Sequence, residues 1–296
     1  MSTETIDPRY IDVDQWPTAL AVEAMLEGQL AAIAAVGSQT MAIARAAEAA
    51  AERLGAQGRL VYVGAGTSGR IAVQDGVELY PTYNWPQERL GFLMAGGLAA
   101  LTEAAEGAED DADAARAEIA AARLGAQDVV IGVAASGRTP YTVAAIAAAR
   151  EAGALTIGIA NNHHTVLPES AHHGLVAETG TEIVAGSTRM KAGTAQKAML
   201  NLLSTAIMLR MGLVYRGRMV NMRISNDKLR LRGQAMVRDI AGVDLTRAGR
   251  ALDAAEQDIK LAVLIAMGAT ADEARQLLLT HRQQLPLAMG ALQRKG

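Results

Sequence analysis

Five short apolar runs, separated for the most part by helix-forming stretches, constrain this chain more than any other feature. They are Leu60-Val-Tyr-Val63, Gly91-Phe-Leu-Met94, residues 128–133, residues 155–159 and Gly174-Leu-Val-Ala177. A strand with one wet face alternates apolar and polar residues; these runs mostly do not alternate, as expected of strands buried on both faces. The intervening stretches 71–79, 98–124 and 141–151 read as helices. Such alternation predicts an α/β fold, with a five-stranded parallel sheet flanked by helices. Residues 18–54 form an alanine-rich helical arm with a break expected at Gly37-Ser38, and residues 190–211 a long apolar helix closed by Gly212. The chain is helical again from Ile224, where Thr270-Ala-Asp-Glu273 is a capping box that should start a helix reaching Leu279. The expected organisation is an N-terminal helical arm over 1–54, the sheet domain over 55–213 and a C-terminal helical region over 214–296.

Three loops at predicted strand ends carry the chemistry. Gly64-Ala-Gly-Thr-Ser-Gly-Arg70 follows the first run. Its glycines fit the dinucleotide pattern G-x-G-x-x-G, but the second run ends in Ala95-Gly96-Gly97, with no carboxylate to hold a ribose. The loop offers Gly66 and the hydroxyls of Thr67 and Ser68 instead. Hydroxyls beside the backbone N–H groups of a helix N-terminus suit a phosphate, which is rich in acceptor oxygens. A nucleotide site and a plain strand-to-helix turn are the competing readings. The second loop, with Ser136, Gly137, Arg138 and Thr139 before Pro140, repeats the pattern. The third, Gly186-Ser-Thr-Arg-Met-Lys191, adds the hydroxyls of Ser187 and Thr188 and the cation of Lys191. Ligands of open parallel sheets sit beyond the carboxyl ends of the strands, so the three loops can converge on one phosphate. Arg70, Arg138, Arg189 and Lys191 are all candidate partners for it, and Glu182 is a candidate sugar contact.

Composition narrows the rest. The chain has no cysteine, which excludes disulfides, thiolate nucleophiles and Cys-ligated metals. A net charge of −3 gives no support to a nucleic-acid surface. His163, His164, His172 and His173 cluster, but their spacing matches no helical His pair, so no metal is expected. The start of the chain is polar and acidic, and no apolar run reaches about 18 residues. A cytoplasmic protein with no membrane partner is the expectation.

The loops resemble those of the sugar isomerase domain, a phosphosugar-binding fold. More narrowly, 63–70, 134–141 and 186–197, with Asn201-Leu-Leu-Ser-Thr205 and Ser225-Asn-Asp-Lys-Leu229, are similar to the N-acetylmuramic acid 6-phosphate etherases. That resemblance implies cleavage of a lactyl ether on a phosphorylated amino sugar, giving N-acetylglucosamine 6-phosphate and D-lactate in cell-wall recycling. It also implies no metal, no organic cofactor and a homodimer, a state that the apolar helix 190–211 would also suit. The family's two functional glutamates carry over onto Glu78 and Glu109. The related glucokinase regulatory protein is not an etherase, so a non-catalytic phosphosugar sensor is one alternative, and an aldose–ketose phosphosugar isomerase another. Around the first glutamate the family's usual Ser-Glu-Cys-Pro-Pro-Thr becomes Val77-Glu78-Leu79-Tyr80-Pro81-Thr82, with Tyr80 in place of a proline. After the fourth run its Cys-Asn-Pro becomes Ala160-Asn161-Asn162. If Glu78 donates a proton to the leaving oxygen, an apolar wall from Tyr80, Pro81 and the helix 71–79 is expected to bury it.

Overall fold

The computed structural model describes residues 3–103 and 105–294. In chain order the helices and strands are α1 (Thr18–Val36), α2 (Thr40–Leu54), β1 (Leu60–Gly64), α3 (Gly66–Val77), α4 (Leu79–Tyr83), β2 (Leu90–Met94), α5 (Ala112–Ala122), β3 (Val129–Val133), α6 (Pro140–Glu151), β4 (Leu155–Ala160), α7 (Val166–Ser170), β5 (His173–Val176), α8 (Lys191–Arg210), α9 (Asp227–Ala241), α10 (Leu245–Ala254), α11 (Ile259–Ala266), α12 (Ala271–Thr280) and α13 (Leu285–Gln293). They divide into two compact units. One runs to Val77 and resumes over Glu88–Ala206; the other takes Glu78–Gln87 and the chain from Ile207 onward. The N-terminal arm therefore belongs with the sheet, and the short segment around α4 belongs with the C-terminal helices.

The first unit holds one parallel sheet in the order β2-β1-β3-β4-β5. The order reverses direction between β1 and β3, the topological switch point at which sheets of this type hold their ligands. β1, β3 and β4 are buried along their whole length, which is why their sequences do not alternate. Val61, Val63, Val130, Ile119, Tyr141, Ile146 and Leu167 form a core on one face. Asp128 ties the amino ends of β1 and β3: it accepts from the Arg59 amide at 2.8 Å, the Arg59 guanidinium at 2.8 Å and the Gly125 amide at 2.9 Å. Burial alone would raise the Asp128 pKa, but the bonds from Arg59 and Gly125 outweigh it and hold the carboxyl below its ordinary value.

Three helical expectations need correcting. The helix expected at 71–79 begins at Gly66, so the glycine loop is itself the first turn of α3, and it ends at Val77. The single helix expected at 98–124 is two 3₁₀ turns, Leu98–Leu101 and Ala108–Asp110, followed by α5. Gly107 is left-handed, and Asp111 starts α5 afresh by accepting the Ala114 amide at 2.8 Å. The break at Gly37-Ser38 is a 3₁₀ turn that keeps the chain helical, so Thr18–Leu54 is a continuous helical stretch. One window of it has a mean hydropathy of 1.5 and is only 11% buried, long and apolar enough by those measures to cross a membrane, contrary to the sequence reading. The same exposed face also suits packing against another protein surface. The long apolar helix α8 is explained by the chain itself: Met199, Leu200, Leu203, Ile207 and Met208 are fully buried.

The second unit is helical around Val237, Ile240, Leu252, Ile259, Val263 and Leu264. The capping box at Thr270 forms as the sequence predicts and starts α12. Lys260 is 1% exposed, its ammonium donating to Gln283 O at 3.1 Å and Gly212 O at 3.4 Å. Burial, opposed only in part by Asp258, pushes its pKa down to about 8.

Candidate active site

β1 and β3 each end in a loop that turns into a helix, and the two loops flank the switch point. Their glycines are there for contact as much as for turning. A Cβ on Gly69 would stand 2.7 Å from Met94 Sδ and 2.9 Å from Gly64 O, so α3 crosses β1 at a distance only glycine allows. Gly137, with φ +66°, would drive a Cβ to 2.1 Å from Thr165 Oγ1.

Between these loops lies a cavity of about 390 Å³. Gly66, Thr67 and Ser68 from the start of α3, Ser136, Arg138 and Thr139 from the loop before α6, and Thr188 from the third loop all line it. Glu109 lines it too, and also bounds a neighbouring cavity of about 360 Å³ that shares Ala65 and Gly66. The Ser136 hydroxyl oxygen accepts the Arg138 amide at 3.2 Å and lies 3.5 Å from Thr139 Oγ1. Arg138 reaches the His164 carbonyl at 3.2 Å from the cavity rim. Thr139 makes no side-chain cap on α6, so the first amides of that helix have no hydroxyl partner from their own N-cap. The arrangement offers amides, hydroxyls and one guanidinium to an anion, with the carboxylates of Glu4, Glu109 and Asp110 beside them.

Not all of the sequence-predicted residues share this cavity. Gly137 and Ser187 are outside its lining. Lys191 donates through Nζ to Thr181 O at 2.8 Å, and Arg70 is spent on the carbonyls of Ala100, Leu101 and Glu103. Glu182 is 1% exposed and is no sugar contact: its carboxylate accepts the Lys191 and Ala192 amides at 2.9 Å each, capping α8 and fixing the third loop. His172 accepts the Thr156 amide through Nδ1 at 3.1 Å, while His163 faces Glu178 at 3.6 Å. Sequence reasoning missed Glu4, which lines the cavity from the N-terminal segment.

Glu78 belongs to the second unit, immediately before α4. It is exposed there, so the expected apolar wall does not form around it within this chain. The second unit holds the segment firmly. Asn221 Nδ2 donates to Tyr83 O at 2.8 Å, and Arg223 lies 5.1 Å over the Tyr80 ring while bonding its hydroxyl. The bulky Tyr80 thus has a partner of its own.

Comparison with known proteins agrees with this fold. A model of the glucokinase regulatory protein N-terminal SIS domain matches residues 42–150, and the SIS domain model matches 108–206. The N-acetylmuramic acid 6-phosphate etherase of Deinococcus radiodurans is 44% identical over 277 residues, covering 93% of this chain and 91% of that one. The chain belongs to the N-acetylmuramic acid 6-phosphate etherase family. The etherase of Streptomyces coelicolor is 43% identical over 98% of this chain and 94% of its own, and that of Symbiobacterium thermophilum 46% identical over 86% and 84%. Etherase-family membership thus extends over both units, not the sheet alone.

Proposed function

We propose that this protein cleaves the lactyl ether of N-acetylmuramic acid 6-phosphate, giving N-acetylglucosamine 6-phosphate and D-lactate, as a cytoplasmic homodimer in amino-sugar recycling. The observation that carries the reading is the meeting of Ser68, Ser136, Thr139, Thr188 and Glu109 around one cavity at the β1/β3 switch point. Three relatives of this length and identity carry that activity in their names.

The phosphate end binds where α3 and α6 begin. Hydroxyls and helix amides are donors only strong enough, taken together, to hold a dianion; each bond to a charged group contributes about 1–3 kcal/mol. With the sugar ring open, C2 lies beside the C1 aldehyde, so its proton is acidified. A carboxylate, which we assign to Glu109, takes that proton. The C2–H electrons form the C2=C3 double bond and the C3–O bond breaks. The departing lactate oxygen takes a proton from an acid, which we assign to Glu78 on the family likeness alone, since it is exposed and gains no apolar wall within this chain. Water then adds across the double bond, hydroxyl to C3 and proton to C2. Two carboxyl groups divide proton removal and proton delivery between them.

The dimer rests on a different feature from the one the sequence suggested. Most of the apolar surface of α8 is used inside the chain, Leu202 and Leu209 being 49% and 44% exposed, whereas Leu20, Val22, Leu26 and Leu30 of α1 are 52–64% exposed. A phosphosugar-sensing role is favoured by one observation, the match of 42–150 to the regulatory-protein domain. Incubating purified protein with N-acetylmuramic acid 6-phosphate and measuring lactate separates the two: a sensor binds the sugar and releases none.

A further inference from the structure

The N-terminal segment is not a loose tail. Thr3 is 1% exposed and is held on three sides. Its carbonyl accepts the Gly186 amide at 3.0 Å, its own amide donates to Asn162 Oδ1 at 3.3 Å, and Asn162 Nδ2 donates to Thr3 Oγ1 at 3.4 Å. Asn162 Nδ2 also reaches Ala135 O at 2.9 Å. Four residues later Asp7, 6% exposed, accepts Thr181 Oγ1 at 2.8 Å and the Arg9 guanidinium at 2.8 Å. Residues 3–7 therefore form a strap fixed at both ends, crossing the loops that follow β3, β4 and β5.

Glu4 sits between the two anchors and lines the cavity. Its Oε2 would lie 3.0 Å from a Cβ on Gly186, so the glycine leaves room for the carboxylate. Thr67, Ser68, Ser136, Thr139 and Thr188 bring hydroxyls and Arg138 a guanidinium to the cavity; Glu4, Glu109 and Asp110 bring carboxylates. An ionised carboxylate is an acceptor only and repels a phosphate, so it must face the donor-bearing part of a ligand.

We propose that Glu4 is a specificity-determining residue, its carboxylate accepting hydrogen bonds from the hydroxyl or amide groups of the sugar chain while the phosphate lies on the hydroxyl side. This rests on the phosphosugar reading above and adds a contact that reading does not use.

The test is calorimetric binding of inorganic phosphate and of N-acetylglucosamine 6-phosphate to the wild type, Glu4→Gln and Glu4→Asp. Glu4 is exposed, so neither substitution disturbs the core. Loss of bonds to one charged group predicts that Glu4→Gln binds the phosphosugar about 10–100-fold more weakly. Its affinity for inorganic phosphate should be unchanged or higher, and Glu4→Asp should fall between. Unchanged phosphosugar binding by Glu4→Gln would overturn the proposal. So would an equal loss of both ligands, because it would mark Glu4 as a support of the third loop. A wild type that binds phosphate but not the phosphosugar would overturn the proposed function itself, and Glu4's role with it.

Discussion

In the helical unit, α9, α10, α11 and α12 begin at Asn226, Asp244, Asp258 and Thr270, and each of these side chains accepts an amide of its own helix. In the sheet unit, α6 begins at Thr139, whose hydroxyl lines the cavity and makes no such cap. α3 begins with Gly66, Thr67 and Ser68 around the same cavity. The four helices of the helical unit satisfy their first amides with their own side chains, whereas α4 and α13 of the same unit carry no such cap. At the switch point the chain leaves amides and hydroxyls available to a ligand. Lys260 in the helical unit is a different case, a buried cation held by two carbonyls with no contacting carboxylate among the described residues.

The largest expected effect is catalytic. Glu78→Gln should lower lactate release by about 10²–10⁴-fold, the usual weight of a positioned general acid. In deuterated water the same variant should still exchange the C2 proton, since the phosphate loops and Glu109 are untouched. Wild-type lactate release by Glu78→Gln would show that Glu78 is not the acid.

The second effect tests the buried cation Lys260. The unfolded chain keeps the Lys260 proton up to its ordinary pKa of 10.5, the folded chain only to about 8. Between those values the unfolded state binds more protons, so stability rises with pH across that window. Relative to Lys260→Met, the wild type should gain on the order of 3 kcal/mol from pH 7.5 to pH 10.5. Thermal melts of the pair across that range give the difference, and a difference independent of pH would contradict the assignment.

Smaller effects separate the two kinds of helix start. Ser136→Ala should weaken phosphosugar binding by about 1–3 kcal/mol and leave the melting temperature nearly unchanged. Thr270→Ala should do the reverse, costing about 1 kcal/mol of stability with no change in binding. If Ser136→Ala instead destabilises the fold as Thr270→Ala does, the contrast between the units fails.

The sheet was readable because its strands are buried on both faces, which leaves an unbroken apolar signature in β1, β3 and β4. The capping box at Thr270 was readable because its signal is local. The start of α3 was not, since glycines that usually punctuate a chain here form a helical turn against β1. Arg70, Lys191 and Glu182 looked free for a ligand, and only the tertiary structure shows the backbone groups that claim them. Glu4 carries no local signal; its place depends on Thr3 meeting Asn162 and Gly186, far away in the chain.

The proposed reaction is elimination from a phosphosugar bound at the switch point. The most direct measurement follows wild-type protein with N-acetylmuramic acid 6-phosphate in deuterated water, recording lactate and the isotope at C2 of the product. Elimination followed by water addition should give one lactate per N-acetylglucosamine 6-phosphate, with solvent deuterium at C2. Absence of lactate, or lactate formed with the C2 proton fully retained, would contradict it.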